Sequence, residues 1–248
     1  MARRKCTARR IQADPFSSLP DTLMTSRTLL SLTLLFSLTA FSATAREVNN
    51  CRIEPGALCG GHELSGAKLS GSDLSFASLA EADLSGADLS EAQLKNAGLE
   101  RADLRRANLR GATLDKIEAK NVMMQEADLH GASLVGANLE NANLRNADLS
   151  NADLKGARLF GAELGGATFT GAQLQRADMS ATTLSGASFA GANLLGTRFE
   201  NAELDGADFR GAEIDATTQF RGAKTEGCIA CPERATQGTT DPSAKAAR

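Results

Sequence analysis

The chain has 248 residues, a formal net charge of −3, no Trp and no Tyr, and only 4% aromatic residues, all of them Phe. So few rings leave little material for stacking a sugar, a nucleotide or an organic cofactor, and no cofactor is expected. The mildly acidic balance argues against nonspecific nucleic-acid binding, which needs clustered Lys and Arg.

Residues 1–45 stand apart from the rest. Arg27 precedes a short apolar run from Thr28 to Phe41, and Ser42-Ala43-Thr44-Ala45 follows it. A basic start, an apolar run too short for a confident bilayer span and small residues at Ala43 and Ala45 mark a secretory signal peptide cut after Ala45. Met24 is a natural start for such a signal, which would make residues 1–23 an over-extended gene model or a long basic leader. The expected location is periplasmic or secreted, with an organelle lumen as the alternative, and no membrane span remains after signal removal. The leader holds Arg3, Arg4, Lys5, Arg9, Arg10 and Arg27 against Asp14 and Asp21, a net of +4, which leaves −7 on the remainder of a chain totalling −3.

Residues 46–59 read as an N-terminal cap, after which a five-residue word takes over. Leucine recurs at Leu64, Leu69, Leu74, Leu79, Leu84 and onward to Leu114, and the series resumes after one break and runs to Leu204, Phe209 and Ile214. A smaller residue sits two places earlier, as at Ala67, Ala77, Ala82, Ala87 and Ala92, so the word is A-(D/N)-L-x-x, as in Ala82-Asp83-Leu84-Ser85-Gly86. A repeat this short must be read before any other cue. Five residues make no stripe on a helix, and on a flat strand residues five apart face opposite ways. A square coil fits: each word forms one side, four words close a turn of twenty, and the Leu and the Ala point inward. The last position of the word is often Gly (Gly66, Gly71, Gly86) or Asn (Asn96, Asn121, Asn141). Both residues tolerate the positive φ of a type II corner.

This pattern, from about Ala57 to Ala216, resembles the pentapeptide-repeat family. The resemblance implies an all-β fold, a right-handed quadrilateral parallel β-helix, here of about eight coils. The handedness comes from the family alone.

In a square coil residues twenty apart stack. Phe169, Phe189 and Phe209 should therefore form a core ladder, with Met179 and Phe199 aligned on another side. At the break Ile117 takes the small position and Ala119 the large one, with Val122 and Met124 following. Exchange of large for small conserves volume, so a distorted coil is expected there, with a short bulge as the alternative. Next to it lies a basic belt of Arg101, Arg105, Arg106, Arg110, Lys116 and Lys120, interspersed with Glu100, Asp103, Asp115 and Glu118. The belt is the candidate partner surface, and a merely solvated wall is the competing reading.

Cys51, Cys59, Cys228 and Cys231 follow the leader, and an even count in an exported chain suggests disulfides. Eight coils make a rod of roughly 35–40 Å, far beyond the ~7 Å between Cα atoms that a disulfide allows. Within one monomer only Cys51–Cys59 and Cys228–Cys231 fit, and the same distance forbids a shared four-cysteine zinc site. Cys228-Ile229-Ala230-Cys231 has thioredoxin-like spacing without the βαβ setting of that motif, and Pro232 stands where a haem-attachment His would follow. A structural clip is therefore expected, with a thiol–disulfide redox role through Cys228 and Cys231 as an alternative. Residues 217–232 read as a C-terminal cap and 233–248 as a disordered tail. A rod end with unpaired backbone groups could recruit a second chain, so a dimer through an end is a further expectation.

No catalytic constellation is expected. His62 and His130 fall about three coils apart and on different sides, no Ser is expected beside a His in a triad arrangement, and carboxylates are spaced along the walls without converging. The expectation is a non-enzymatic exported scaffold that binds an unidentified protein or serves a structural role. The resemblance supplies one alternative, an acidic DNA mimic shielding a DNA topoisomerase, which an export signal opposes because that enzyme is cytoplasmic.

Overall fold

The computed structural model describes residues 46–232. The expected signal peptide, its expected cleavage point and the tail from residue 233 lie outside the described residues. Among the described residues no helix is long and apolar enough to cross a membrane.

The five-residue word becomes one side of a coil because it satisfies nearly all its own backbone groups. Take the word around Leu64. The Leu64 N–H donates to Asp83 O (2.7 Å), the Asp83 N–H donates back to His62 O (2.9 Å), and the Gly66 N–H donates to Ser85 O (2.9 Å). The corner closes when the Ala67 N–H donates to Leu64 O (3.0 Å). One amide per word is left over, that of the residue after the Leu, and the Asp or Asn before the Leu takes it. Ser85 donates to Asp83 Oδ1 (2.9 Å), Arg105 to Asp103 Oδ1 (3.1 Å), Arg110 to Asn108 Oδ1 (3.2 Å) and Ser150 to Asp148 Oδ1 (2.9 Å). These are Asx turns, and they give the Asp/Asn preference of the word a physical cause.

Repeated every twenty residues, these bonds build four columns of parallel bridges, such as Glu63–Asp83–Asp103–Met123–Asn143–Glu163–Thr183–Glu203. Three columns carry nine rungs and the fourth eight, in line with the expected number of coils. The inward positions are sealed: the leucine-position residues from Leu64 through Leu204, and the small residues beside them from Ala77 onward, are essentially unexposed.

Corners sit at the last position of each word. From Gly56 to Gly211 every such residue has φ between 55° and 72°. Gly and Asn supply many of them, but so do Phe76, Glu81, Arg101, Arg106, Lys116 and Arg176. The left-handed strain at each non-Gly corner is of order 1–2 kcal/mol, and the ladder bonds on both sides over-determine the conformation.

The N-terminal end is closed by a hairpin, β1 (Arg46–Val48) antiparallel to β2 (Cys51–Ile53). Asn49 and Asn50 form its two-residue tip with φ of 48° and 63°, as a primed turn requires. Cys51 and Ile53 bury against the first coil, Cys51 bonds to Cys59, and Asn49 Nδ2 donates to Glu63 O (2.6 Å).

Two expectations are corrected. The swap at Ile117 and Ala119 causes neither a distorted coil nor a bulge. Gly98, Glu118 and Asn138 bridge in unbroken register, and only the corner bonds Ile117 N–Leu114 O (3.4 Å) and Val122 N–Ala119 O (3.3 Å) lengthen. Large opposite small keeps the volume inside the turn constant, so the wall need not move. The real irregularity lies later. Below it rungs pair at a spacing of twenty, whereas Arg198 pairs with Gln219, Glu203 with Lys224 and Asp208 with Ile229, a spacing of twenty-one. One extra residue is absorbed in the corner at 215–218. There Asp215 Oδ1 accepts from Thr217 N (2.9 Å) and Thr218 N (3.2 Å), and Thr218 Oγ1 reaches inward to Leu194 O (2.9 Å). Residues 217–232, expected as a separate cap, therefore continue the coil to its last rung at Ile229.

The phenylalanine ladder forms as the spacing requires. Phe169 and Phe189 stack at 5.0 Å, and Phe189 and Phe209 at 4.9 Å. A second column faces it, with Phe220 over Phe199 at 5.2 Å, and the two columns meet edge to face, as in Phe189–Phe199 at 5.5 Å.

Candidate functional site

With the interior filled, only the three outward positions of each word are free to meet a partner. The basic belt occupies them in the third and fourth coils. Arg101, Arg106 and Lys116 stand at corners, while Arg105, Arg110 and Lys120 follow an inward residue. The fold brings the six to one level of the rod but spreads them around its perimeter.

The belt is not a bare positive patch. Arg101 pairs with Glu81 (3.4 Å), Arg105 with Asp103, Arg106 with Glu126 (2.9 Å), Arg110 with Asp128 (3.1 Å) and Lys120 with Glu140 (2.9 Å). The Arg105 guanidinium holds the Asp103 carboxyl below the usual carboxylate range, Arg106 does the same for Glu126, and Lys120, joined by Arg158, for Glu140. The guanidinium side chains remain 50–75% exposed. Exposed pairs of this kind contribute about 0–1 kcal/mol each, so a partner's carboxylate can displace them readily.

Most of these pairs were missed in the sequence, yet the signal was present. Glu81–Arg101, Arg106–Glu126 and Lys120–Glu140 are twenty residues apart, the period of the coil. The same spacing sets a serine beside one histidine: His130 Nδ1 lies 2.8 Å from Ser150 Oγ, one coil above it. This pair continues a wall motif seen at Ser65–Ser85 (3.0 Å) and Ser70–Ser90 (2.9 Å). Around it the amides of Gly131, Asp148, Leu149, Ser150 and Asn151 are all donated within the coil. His62 lies on another side, its Nδ1 3.1 Å from Gly60 O.

Two shallow grooves run along corners. Ser85, Gly86, Arg105, Arg106, Gln125 and Glu126 line one, within the belt. The other lies beside the inserted residue and includes Gln175, Arg176, Gly196, Asp215 and Thr217. Each holds a glutamine, Gln125 or Gln175, whose buried Oε1 has no protein partner.

The cysteines pair as the distance argument required, Cys51 with Cys59 (Cα–Cα 5.3 Å) and Cys228 with Cys231 (5.8 Å).

The family model for pentapeptide repeats (8 copies) matches residues 63–101, 87–122, 124–159, 150–186 and 184–217. The chain belongs to the pentapeptide repeat family. Its coil is thus the right-handed quadrilateral β-helix of that family. Among solved structures, this pentapeptide-repeat chain is similar to HetL from the cyanobacterium Nostoc sp. strain PCC 7120, a pentapeptide repeat protein involved in heterocyst differentiation regulation. The identity is 35%, over 68% of this chain and 83% of HetL, with a TM-score of 0.36. A pentapeptide repeat protein of the Arabidopsis thaliana thylakoid lumen is 28% identical over 53% of this chain and 68% of its own, with a TM-score of 0.20. QnrB1, a plasmid-mediated fluoroquinolone resistance protein, is 17% identical over 75% of this chain and 95% of its own, with a TM-score of 0.39. No curated protein matches the chain.

Proposed function

We propose that this pentapeptide-repeat protein is a non-enzymatic exported scaffold, a stiff rod that docks a protein partner on its side wall at the basic belt. The supporting observation is the division of labour within the word. The leucine positions are sealed from Leu64 to Leu204, four of five amides are spent on backbone ladder and corner bonds, and side-chain chemistry is left to the outer wall. The belt suits an acidic partner surface, because its cations are already extended on the rod and held by weak, exchangeable pairs. The export signal and the even cysteine count support a location outside the cytoplasm. The topoisomerase-shielding alternative draws on the acidic net charge, and the likeness to QnrB1, 17% identical with a TM-score of 0.39, adds no argument for it.

Crosslinked capture from the periplasm, comparing wild type with Arg101, Arg105, Arg106 and Arg110 all changed to Glu, tests the reading. Loss of the captured partners in the variant supports it. Recovery of the same partners with both proteins reduces the belt to a solvated wall. Intact mass of the exported protein tests the leader: an N-terminus other than Arg46 misplaces the cleavage.

A further inference from the structure

The two disulfides are built into opposite ends of the coil in unequal ways. Cys51 and Cys59 are each 1% exposed, one in β2 and the other at an inward position beneath Leu79. Two strands and the first coil enclose their bond. Cys228 and Cys231 are only partly buried. They bracket the last rung, whose Ile229 is 48% exposed and rests on Asp208 alone.

Among the described residues that rung is held from below only. The Ile229 N–H donates to Ala207 O (2.8 Å) and its carbonyl accepts from Phe209 N (2.9 Å). The corner bond that starts it, Cys228 N to Thr225 O, is long at 3.3 Å. Ala230 sits at φ 51°, a left-handed conformation in which a non-Gly residue is strained. Elsewhere in the coil such residues are at corners, laddered above and below. Ala230 instead follows the last rung, is exposed, and among the described residues has no rung above it, so the adjoining Cys228–Cys231 bond is the constraint beside it. Beneath lie Phe209 and Phe220, edge to face at 6.1 Å and only 2% and 4% exposed.

We infer that Cys228–Cys231 is a thiol-exchange site, open to dithiol reductants in the folded protein, whose reduction releases the last rung while Cys51–Cys59 stays closed. The chemistry balances with a dithiol as the second reactant. Its thiolate attacks one cysteine sulfur, the S–S bond breaks, and the other cysteine leaves as a thiolate that takes a proton. The second thiol of the reductant, as thiolate, then displaces the first cysteine and closes the reductant's own disulfide. The protein gains two electrons and two protons, and the dithiol loses the same. The consequence is local, because each coil leans only on its neighbours. Residues 219–231 lose their clip, Ala230 leaves its strained conformation, and the Phe209 and Phe220 edges open to solvent.

The test uses the purified oxidised protein in native buffer with graded dithiothreitol, alkylation with iodoacetamide, peptide mapping, and hydrogen exchange with and without reductant. The expected result is alkylation at Cys228 and Cys231 at dithiothreitol concentrations at least tenfold below those that label Cys51 and Cys59. Amide exchange across 219–231 should rise at least tenfold, with 79–199 unchanged. The double variant Cys228→Ser with Cys231→Ser should show the same fast exchange without reductant. Simultaneous reduction of both disulfides overturns the inference. So does selective reduction, or the double variant, with exchange at 219–231 left as in the oxidised protein.

Discussion

Each corner residue carries a local conflict between backbone and side chain. Gly161 has φ +69°, and a Cβ placed there would lie 2.6 Å from Asn141 Oδ1 in the coil below. Gly161→Ala should lower stability by about 1–2 kcal/mol from the left-handed backbone, plus a steric part. Asn141→Gly in the same chain should recover the steric part alone, read from urea midpoints of the two single variants and the double. The Gly and Asn corners were legible because those residues advertise positive φ. The charged corners were not: Arg101, Arg106 and Lys116 have no such preference and are held there by ladder bonds that act twenty residues away. The carboxylates of the belt give a second prediction at this scale. Asp103, Glu126 and Glu140 titrate below their ordinary values because of Arg105, Arg106 and Lys120. A lowered folded-state pKa means stability that is complete above the unfolded value, about 4, and lost as pH falls through the folded one. Melting temperature should stay level from pH 8 to 5 and fall below about pH 4, and 1 M salt should shrink the acid-sensitive part.

On a single side of the coil, packing dominates. Phe189 touches Phe169, Phe209 and Phe199, and its place in the word belongs to Leu in most coils. Phe189→Leu should therefore be mild, under about 1.5 kcal/mol, whereas Phe189→Ala should cost about 3–5 kcal/mol; denaturant unfolding followed by far-ultraviolet dichroism separates the two. The swap at Ile117 and Ala119 allows a coupling test. Ala119→Leu alone overfills a turn that already holds Ile117 and should destabilise by about 1–3 kcal/mol. Adding Ile117→Ala restores the ordinary word, and the double variant should return to within about 0.5 kcal/mol of wild type. The swap itself could be read from the sequence, but its harmlessness could not. Whether a wall bends depends on the volume enclosed by a whole turn, which two residues do not report. The extra residue at 215–218 was also hidden, because Phe220 and Ala223 keep the word one step out of phase and read as its end.

Across the whole coil, the period of twenty is the quantity from which most of the structure follows, and it was visible in Leu64 to Leu204 before any coordinate. What the period implied for the walls was legible in principle and needed only addition: Glu81 to Arg101, Arg106 to Glu126, His130 to Ser150. Exposure could not be read that way. The contrast between the enclosed Cys51–Cys59 and the partly buried Cys228–Cys231 depends on what lies above and below each end, which neither cysteine spacing reports.

The corner at 215–218 has a consequence for engineering. It accommodates an additional residue while Phe220 still stacks on Phe199 at 5.2 Å and the rungs beyond it remain paired. This length change is thus absorbed where the chain bends, and the stacked rings beyond it keep their places. Such bends are natural points for grafting foreign epitopes, and a lineage could acquire recognition loops there without rebuilding its interior.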